Sequence, residues 1–185
     1  GGLVIVSVVT AMLFSGVLLR GALRAVDTVF EQLDSVAGQL GQPPPANPLQ
    51  SGSAASLINW STIGRHGRLH VETAPTREDI ETVIGRPAET PLRVYVGLRS
   101  AATVEARAAL ALAELQRVGA FDREALVIII PVGTGWVDPP GIKAVEYLLG
   151  GNVASVALQY SYLSSPLSLV IEPDYGTAAA QALFD

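Results

Sequence analysis

The sequence predicts an α/β fold, a mostly parallel sheet with flanking helices, preceded by a transmembrane helix. Three observations carry this reading. From Arg93 onward strand-like and helix-like patterns alternate, which implies crossover connections and a parallel sheet. Residues Ala125 to Ile130 are apolar without alternation, the pattern of a strand buried on both faces. Residues Gly1 to Leu19 carry no charge, and Ser7, Thr10 and Ser15 are their only polar side chains. That run is about the length a helix needs to cross a hydrocarbon core.

The apolar run also explains the composition. Hydrophobic content is 49% and charged content only 16%, where about a quarter of an ordinary globular chain is charged. A signal peptide fits less well, for want of a basic start and a small-residue cleavage site. A core helix needs no uncharged run of that length. The chain opens on Gly-Gly without methionine, so further sequence is expected upstream. Arg20 and Arg24 follow the run, and the positive-inside rule then puts the remainder in the cytoplasm, although Asp27, Glu31 and Asp34 come soon after. There is no cysteine, which excludes disulfides and thiolate chemistry and leaves the compartment unread from them. The net charge is −5, and no basic patch is interleaved with aromatics, so nucleic acid is not an expected partner.

Taken in order, Val26, Val29, Phe30, Leu33, Val36, Ala37 and Leu40 recur at helical spacing and predict an amphipathic helix. Its acidic polar face favours packing on other helices over lying on a membrane surface. Gln42 to Ser56, with its prolines and then Ser51, Gly52 and Ser53, reads as a linker, semi-extended and then flexible. Leu57 to Arg68 is a compact polar stretch. It is followed by His70, which with His66 makes the only two histidines; Gly67 between them weakens a helix and no third ligand completes a metal site. No metal and no cofactor is expected.

Thr76 caps a short helix to Ile84 that Gly85 ends, with Glu78 and Asp79 in its first turn. A strand Arg93–Leu98, a helix Thr103–Val118, the strand Ala125–Ile130, a helix Pro140–Leu149 and a strand Val153–Gln159 follow. A last helix starts near Thr177. Asp138 at a cap position, with proline at the first helical position, announces the helix Pro140–Leu149.

Between that strand and that helix lies Gly133-Thr134-Gly135-Trp136. A glycine-rich loop leaving a buried strand is where α/β folds build ligand sites, and its backbone amides can stabilise an oxyanion. The plainer reading is a tight strand-to-helix turn. It is not a P-loop, since no Gly-Lys-Ser/Thr follows, nor a dinucleotide turn, since the third glycine is missing. No G-x-S-x-G occurs, so no nucleophile elbow is visible. Ser161, between Tyr160 and Tyr162 at the end of the last strand, suits a pocket or hydrogen-bonding role better than a nucleophilic one, because no histidine follows it. Trp136, Tyr147, Tyr160 and Tyr162 are candidate pocket walls or half-buried aromatics with a wet tip.

The pieces RVYVGL, EARAALALAEL, GAFDR, GTGWVDP, EYLLGG and QYSYL, in that order, resemble the catalytic region of a bacterial family of α/β-hydrolase-like membrane proteins. Members carry several N-terminal transmembrane helices and then this region. The resemblance runs from about Trp60 to the C-terminus and implies a partial α/β-hydrolase-type sheet in 57–185, and Gly1–Leu19 fits the family's last membrane helix. The residues themselves add a basic flank to that transmembrane helix in 1–24 and an amphipathic helix with linker in 25–56. Val132-Gly133-Thr134-Gly135-Trp136 is similar to the His-Gly-Gly-Gly-Trp loop of that fold, with valine and threonine departing from it. By the resemblance, Gly133, Thr134 and Gly135 present oxyanion amides, and Trp136, Tyr160, Ser161 and Tyr162 bind substrate. The Ser-Asp-His triad is then expected downstream, or on a second chain that completes the sheet.

The function this implies is a serine hydrolase anchored in the bacterial inner membrane, its catalytic domain cytoplasmic, acting on lipid-like or acyl esters. The alternative is a non-catalytic membrane-tethered α/β domain, or a membrane-complex subunit, that binds a partner protein. A G-x-S-x-G followed by Asp and His in the longer reading frame separates the two.

Overall fold

The computed structural model describes residues 2, 4–6, 29, 43–163 and 174–185. The expected membrane span and amphipathic helix therefore fall almost wholly outside the described residues. Among the described residues no helix is long and apolar enough to cross a membrane.

Three parallel strands, β1 (Leu92–Val96), β2 (Ala125–Ile129) and β3 (Val153–Leu158), form a sheet in the order β1-β3-β2. Among the described residues it is accompanied by the helices α1 (Gly64–Glu72), α2 (Arg77–Ile84), α3 (Val104–Arg117), α4 (Pro139–Leu148) and α5 (Tyr175–Phe184). From β1 the chain passes through α3 to the far edge at β2, then returns through α4 to the centre at β3. Right-handed crossovers in opposite directions put α3 and α4 on opposite faces. In agreement, α3 packs on β1, β3 and α5, while α1 packs on β1 and α2 on α4.

The caps follow the sequence. Thr76 and Asp79 exchange hydrogen bonds as a capping box, Thr103 accepts from Ala106 N–H, and Asp138 accepts from Gly141 N–H. Two expectations are corrected. The strand expected to be buried on both faces, β2, is the outer one among the described residues, with Ile128 39% exposed. The fully buried centre is β3, whose smaller residues Ala154, Ser155 and Ala157 let helices approach from both sides. Pairing order, which apolar runs do not encode, decides this.

The second correction concerns the expected linker. Ser51, Gly52 and Ser53 are buried. The Ser51 hydroxyl accepts from Tyr95 N–H at 3.2 Å and donates to the Arg93 carbonyl at 3.3 Å, so it closes the outer edge of β1 as a neighbouring strand would. The Glu114 carboxylate of α3 accepts from Ser56 Oγ at 2.6 Å and Leu57 N–H at 3.0 Å, and pairs with Arg117. Burial works to raise the Glu114 carboxyl, but these donors outweigh it and hold it below its usual range. Gly67, expected to weaken a helix, sits inside α1, because a Cβ there would lie 2.4 Å from the Tyr95 ring.

Arg93 and Tyr95 alternate with Val94 and Val96, so both point to the face that carries α1. The Arg93 guanidinium makes a bidentate pair with Glu146 of α4, at 2.6 Å and 2.7 Å. Its side chain and that of Glu146 are 2% and 1% exposed. Its remaining nitrogen donates to the His70 carbonyl in the last turn of α1. One cation thus ties β1, α1 and α4 together. His70 is itself 3% exposed, and burial, then the Arg93 charge, lowers its pKa from 6.5 to about 3.

Two outcomes are expected. Glu146→Gln leaves a buried guanidinium without its counter-charge and should cost about 3–5 kcal/mol in urea unfolding, whereas Arg93→Met with Glu146→Leu should recover most of that loss. A loss below about 1 kcal/mol for the single change would show that the pair does not hold the fold. For His70 the folded state keeps the ring neutral, so stability is complete above pH 6.5 and falls as the unfolded chain takes up a proton, down to about pH 3. The slope should reach about 1.4 kcal/mol per pH unit. His70→Phe should flatten that slope, and an equal acid sensitivity in the variant would assign it to other groups.

Candidate active site

The carboxyl ends of the three strands converge on one residue. Gln159 follows β3, the central strand, and its side chain reaches both neighbours. Its Oε1 accepts from Leu98 N–H beyond β1 at 3.3 Å, and its Nε2 donates to the Thr134 carbonyl beyond β2 at 3.2 Å. The same nitrogen donates to the Ser161 carbonyl at 3.0 Å. The glycine turn is thereby held against the end of the sheet.

The turn itself is a β-turn closed by Gly135 N–H donating to Val132 O at 2.7 Å, with Val132 N–H donating to Trp136 O at 3.1 Å. Gly135, expected as one of three oxyanion donors, therefore spends its amide on closing the turn. Its glycine is required twice over. Its φ is +88°, and a Cβ would lie 2.4 Å from the Tyr95 hydroxyl. That hydroxyl donates to the Gly135 carbonyl at 2.7 Å. Among the described residues the Thr134 N–H makes no hydrogen bond. Of the expected donors, its amide is the one best suited to meet a ligand's negative oxygen.

A cavity of about 500 Å³ opens beside the turn's anchor, lined by Leu98, Thr103, Arg107, Tyr160, Ser161 and Tyr175 among others. Tyr160 and Ser161 thus share a wall, as expected of substrate-binding residues. Ser161 is 1% exposed, and its hydroxyl accepts from Leu163 N–H at 3.0 Å. No histidine lines the cavity, so the hydroxyl has no base beside it there. Trp136 is partly exposed and Tyr162 is buried. Neither is among the residues that line this cavity. His66 and His70 lie on α1, and among the described residues no three His, Asp or Glu side chains gather as a metal site would require.

Tyr95, Gln159 and Arg107 escaped the sequence reading. Tyr95 looks like any strand aromatic, and Gln159 like any polar residue after a strand. Their partners are backbone carbonyls 25 to 40 residues away, which no local pattern encodes.

The fit between Gly135 and Tyr95 is testable. Gly135→Ala forces a left-handed alanine and a clash, and should destabilise by about 2–4 kcal/mol. Tyr95→Phe removes the oxygen that clashes, so the double variant should be more stable than the sum of the single losses by about 1 kcal/mol or more in a double-mutant cycle. Strict additivity would mean the two residues do not meet as described.

Residues 92–185 match the family described as "Alpha/beta-hydrolase family", and residues 1–75 match that described as "Alpha/beta-hydrolase family N-terminus". No curated protein and no solved structure gives a significant match.

Proposed function

The chain belongs to the alpha/beta-hydrolase family, and from that premise we propose that it supplies the oxyanion loop and part of the acyl pocket of a serine ester hydrolase. The observation that carries this reading is the Thr134 amide. Among the described residues it is uncommitted, in a turn that Gln159 and Tyr95 fix at the carboxyl end of a parallel sheet. Ligands of α/β sheets bind at that end, and a fixed amide there stabilises the negative oxygen of a tetrahedral intermediate without reorganising. Gly135, whose amide closes the turn, shapes it instead of donating. Tyr160 and Ser161, which share a cavity wall, border the acyl chain, whereas Trp136 and Tyr162 stand outside that cavity.

The nucleophile, its histidine and its acid come in this reading from outside the described sheet, on a strand that pairs with the free edge of β2. The uncharged run 1–19 anchors the protein in a bacterial inner membrane with the α/β domain cytoplasmic. This puts lipid-like acyl esters within reach. The exposed Ile128 and Ile130 along that edge favour one second reading, a tethered domain that binds a partner by strand addition.

Replacing the Thr134 amide by an ester in the full-length protein removes one donor and keeps the side chain. Hydrolysis of a short-chain nitrophenyl ester in detergent should fall roughly 100-fold in kcat with little change in KM. Unchanged turnover in the folded variant would sink the oxyanion role, and no turnover in the unmodified protein would favour the partner-binding reading.

A further inference from the structure

The cavity beside Tyr160 is lined by a buried arginine that, among the described residues, makes no salt bridge. Arg107, in the second turn of α3, is 8% exposed. Its Nη1 donates to the Ala101 carbonyl at 3.2 Å, and its buried Nε has no hydrogen-bond partner. Among the described residues no carboxylate lies within ion-pair distance of it. The contrast with Arg93, more deeply buried and clamped by Glu146, is plain. Burial pushes the Arg107 pKa down, with Glu105 and Tyr162 working the other way, yet a guanidinium stays charged in any protein.

Glu105 also borders the cavity, but its carboxylate is exposed and occupied at the start of α3, held below its usual range by its own backbone amide and then by the Thr103 hydroxyl. Water screens it, whereas Arg107 is desolvated, so the inner end of the cavity is positive. Leu98, Ala102, Val104 and Ala178 supply apolar wall around that charge.

We propose that this cavity is a headgroup subsite for an organic anion, a carboxylate or phosphate carried on a short apolar chain, with Arg107 as its counter-ion. It rests on the hydrolase reading for its role, since it would make the preferred ester an acidic one. A planar guanidinium is the group best matched to such oxygens. An unpaired buried charge weakens the fold, so its persistence is accounted for by a ligand that pairs with it.

The test is calorimetric titration of the full-length protein in detergent with hexanoate, hexyl phosphate and hexanol. Hexanoate or hexyl phosphate should bind at least about tenfold tighter than hexanol, and the tighter of the two identifies the headgroup. Arg107→Met should abolish that preference while its Tm stays equal or rises, because the variant removes an unpaired charge. A lowered Tm with anion preference intact would make Arg107 structural and overturn the subsite. Should that variant not fold, Glu105→Gln at the exposed rim should tighten hexanoate a few-fold by removing a like charge, and an unchanged affinity counts against the proposal. Equal binding of all three probes overturns the subsite while leaving turnover of a neutral nitrophenyl ester, and so the hydrolase reading, standing. Anion preference without any ester turnover supports the subsite and removes the hydrolase reading instead.

Discussion

The fold depends first on a single buried ion pair. Arg93 in β1 and Glu146 in α4 are fully desolvated, and two charges out of water are tolerable only when each hydrogen-bonding site is used. The bidentate geometry uses both carboxylate oxygens, and the third guanidinium nitrogen takes the His70 carbonyl at the end of α1. An apolar contact would bring the same three elements together with less angular demand. The ion pair fixes their orientation as well, since a guanidinium fork meets a carboxylate in one plane. The neutral His70 beneath it follows from its burial first and from the neighbouring Arg93 charge second.

That clamp lies towards the start of β1, and the candidate site lies past the strand ends, where a different kind of bond does the positioning. Gln159 is neutral and amphoteric, so one side chain accepts from the chain after β1 and donates to the turn after β2. Tyr95 links the two regions. Its ring fills the space that Gly67 leaves on α1, packs at 5.9 Å from the His70 ring, and carries the hydroxyl that holds Gly135. Rigidity established by the ion pair therefore reaches the turn through one aromatic ring. In the proposed role, an amide that does not have to move contributes most to a developing oxyanion.

Two of the buried arginines, Arg93 and Arg107, mark the difference between structure and proposed site. Arg93 has its carboxylate and serves the fold. Arg107 is also buried, but its hydrogen bond among the described residues is to a carbonyl, and it lines a cavity. Proteins accept such imbalance where a ligand restores it.

Much of the architecture was legible in the residues themselves. The caps at Thr76, Thr103 and Asp138, the strand starts near Leu92, Ala125 and Val153, and the alternation that demands a parallel sheet all follow from local chemistry. So does the glycine turn after β2, because only local backbone freedom is needed to make it. Strand order was not legible, since an apolar run looks alike at the centre and at an edge. Nor was the docking of Ser51 on β1, because a Pro/Gly/Ser stretch reads as linker until a strand edge needs a partner. Which turn amide stays free depended on Val132 accepting from Gly135, and the counter-ions of Arg93 and Arg107 depended on what lay 53 residues away or did not. Sequence alone determined the elements and their ends, where the interactions span a few residues. Tertiary structure alone decided burial, pairing and charge balance, because those depend on partners that only the folded chain brings within reach.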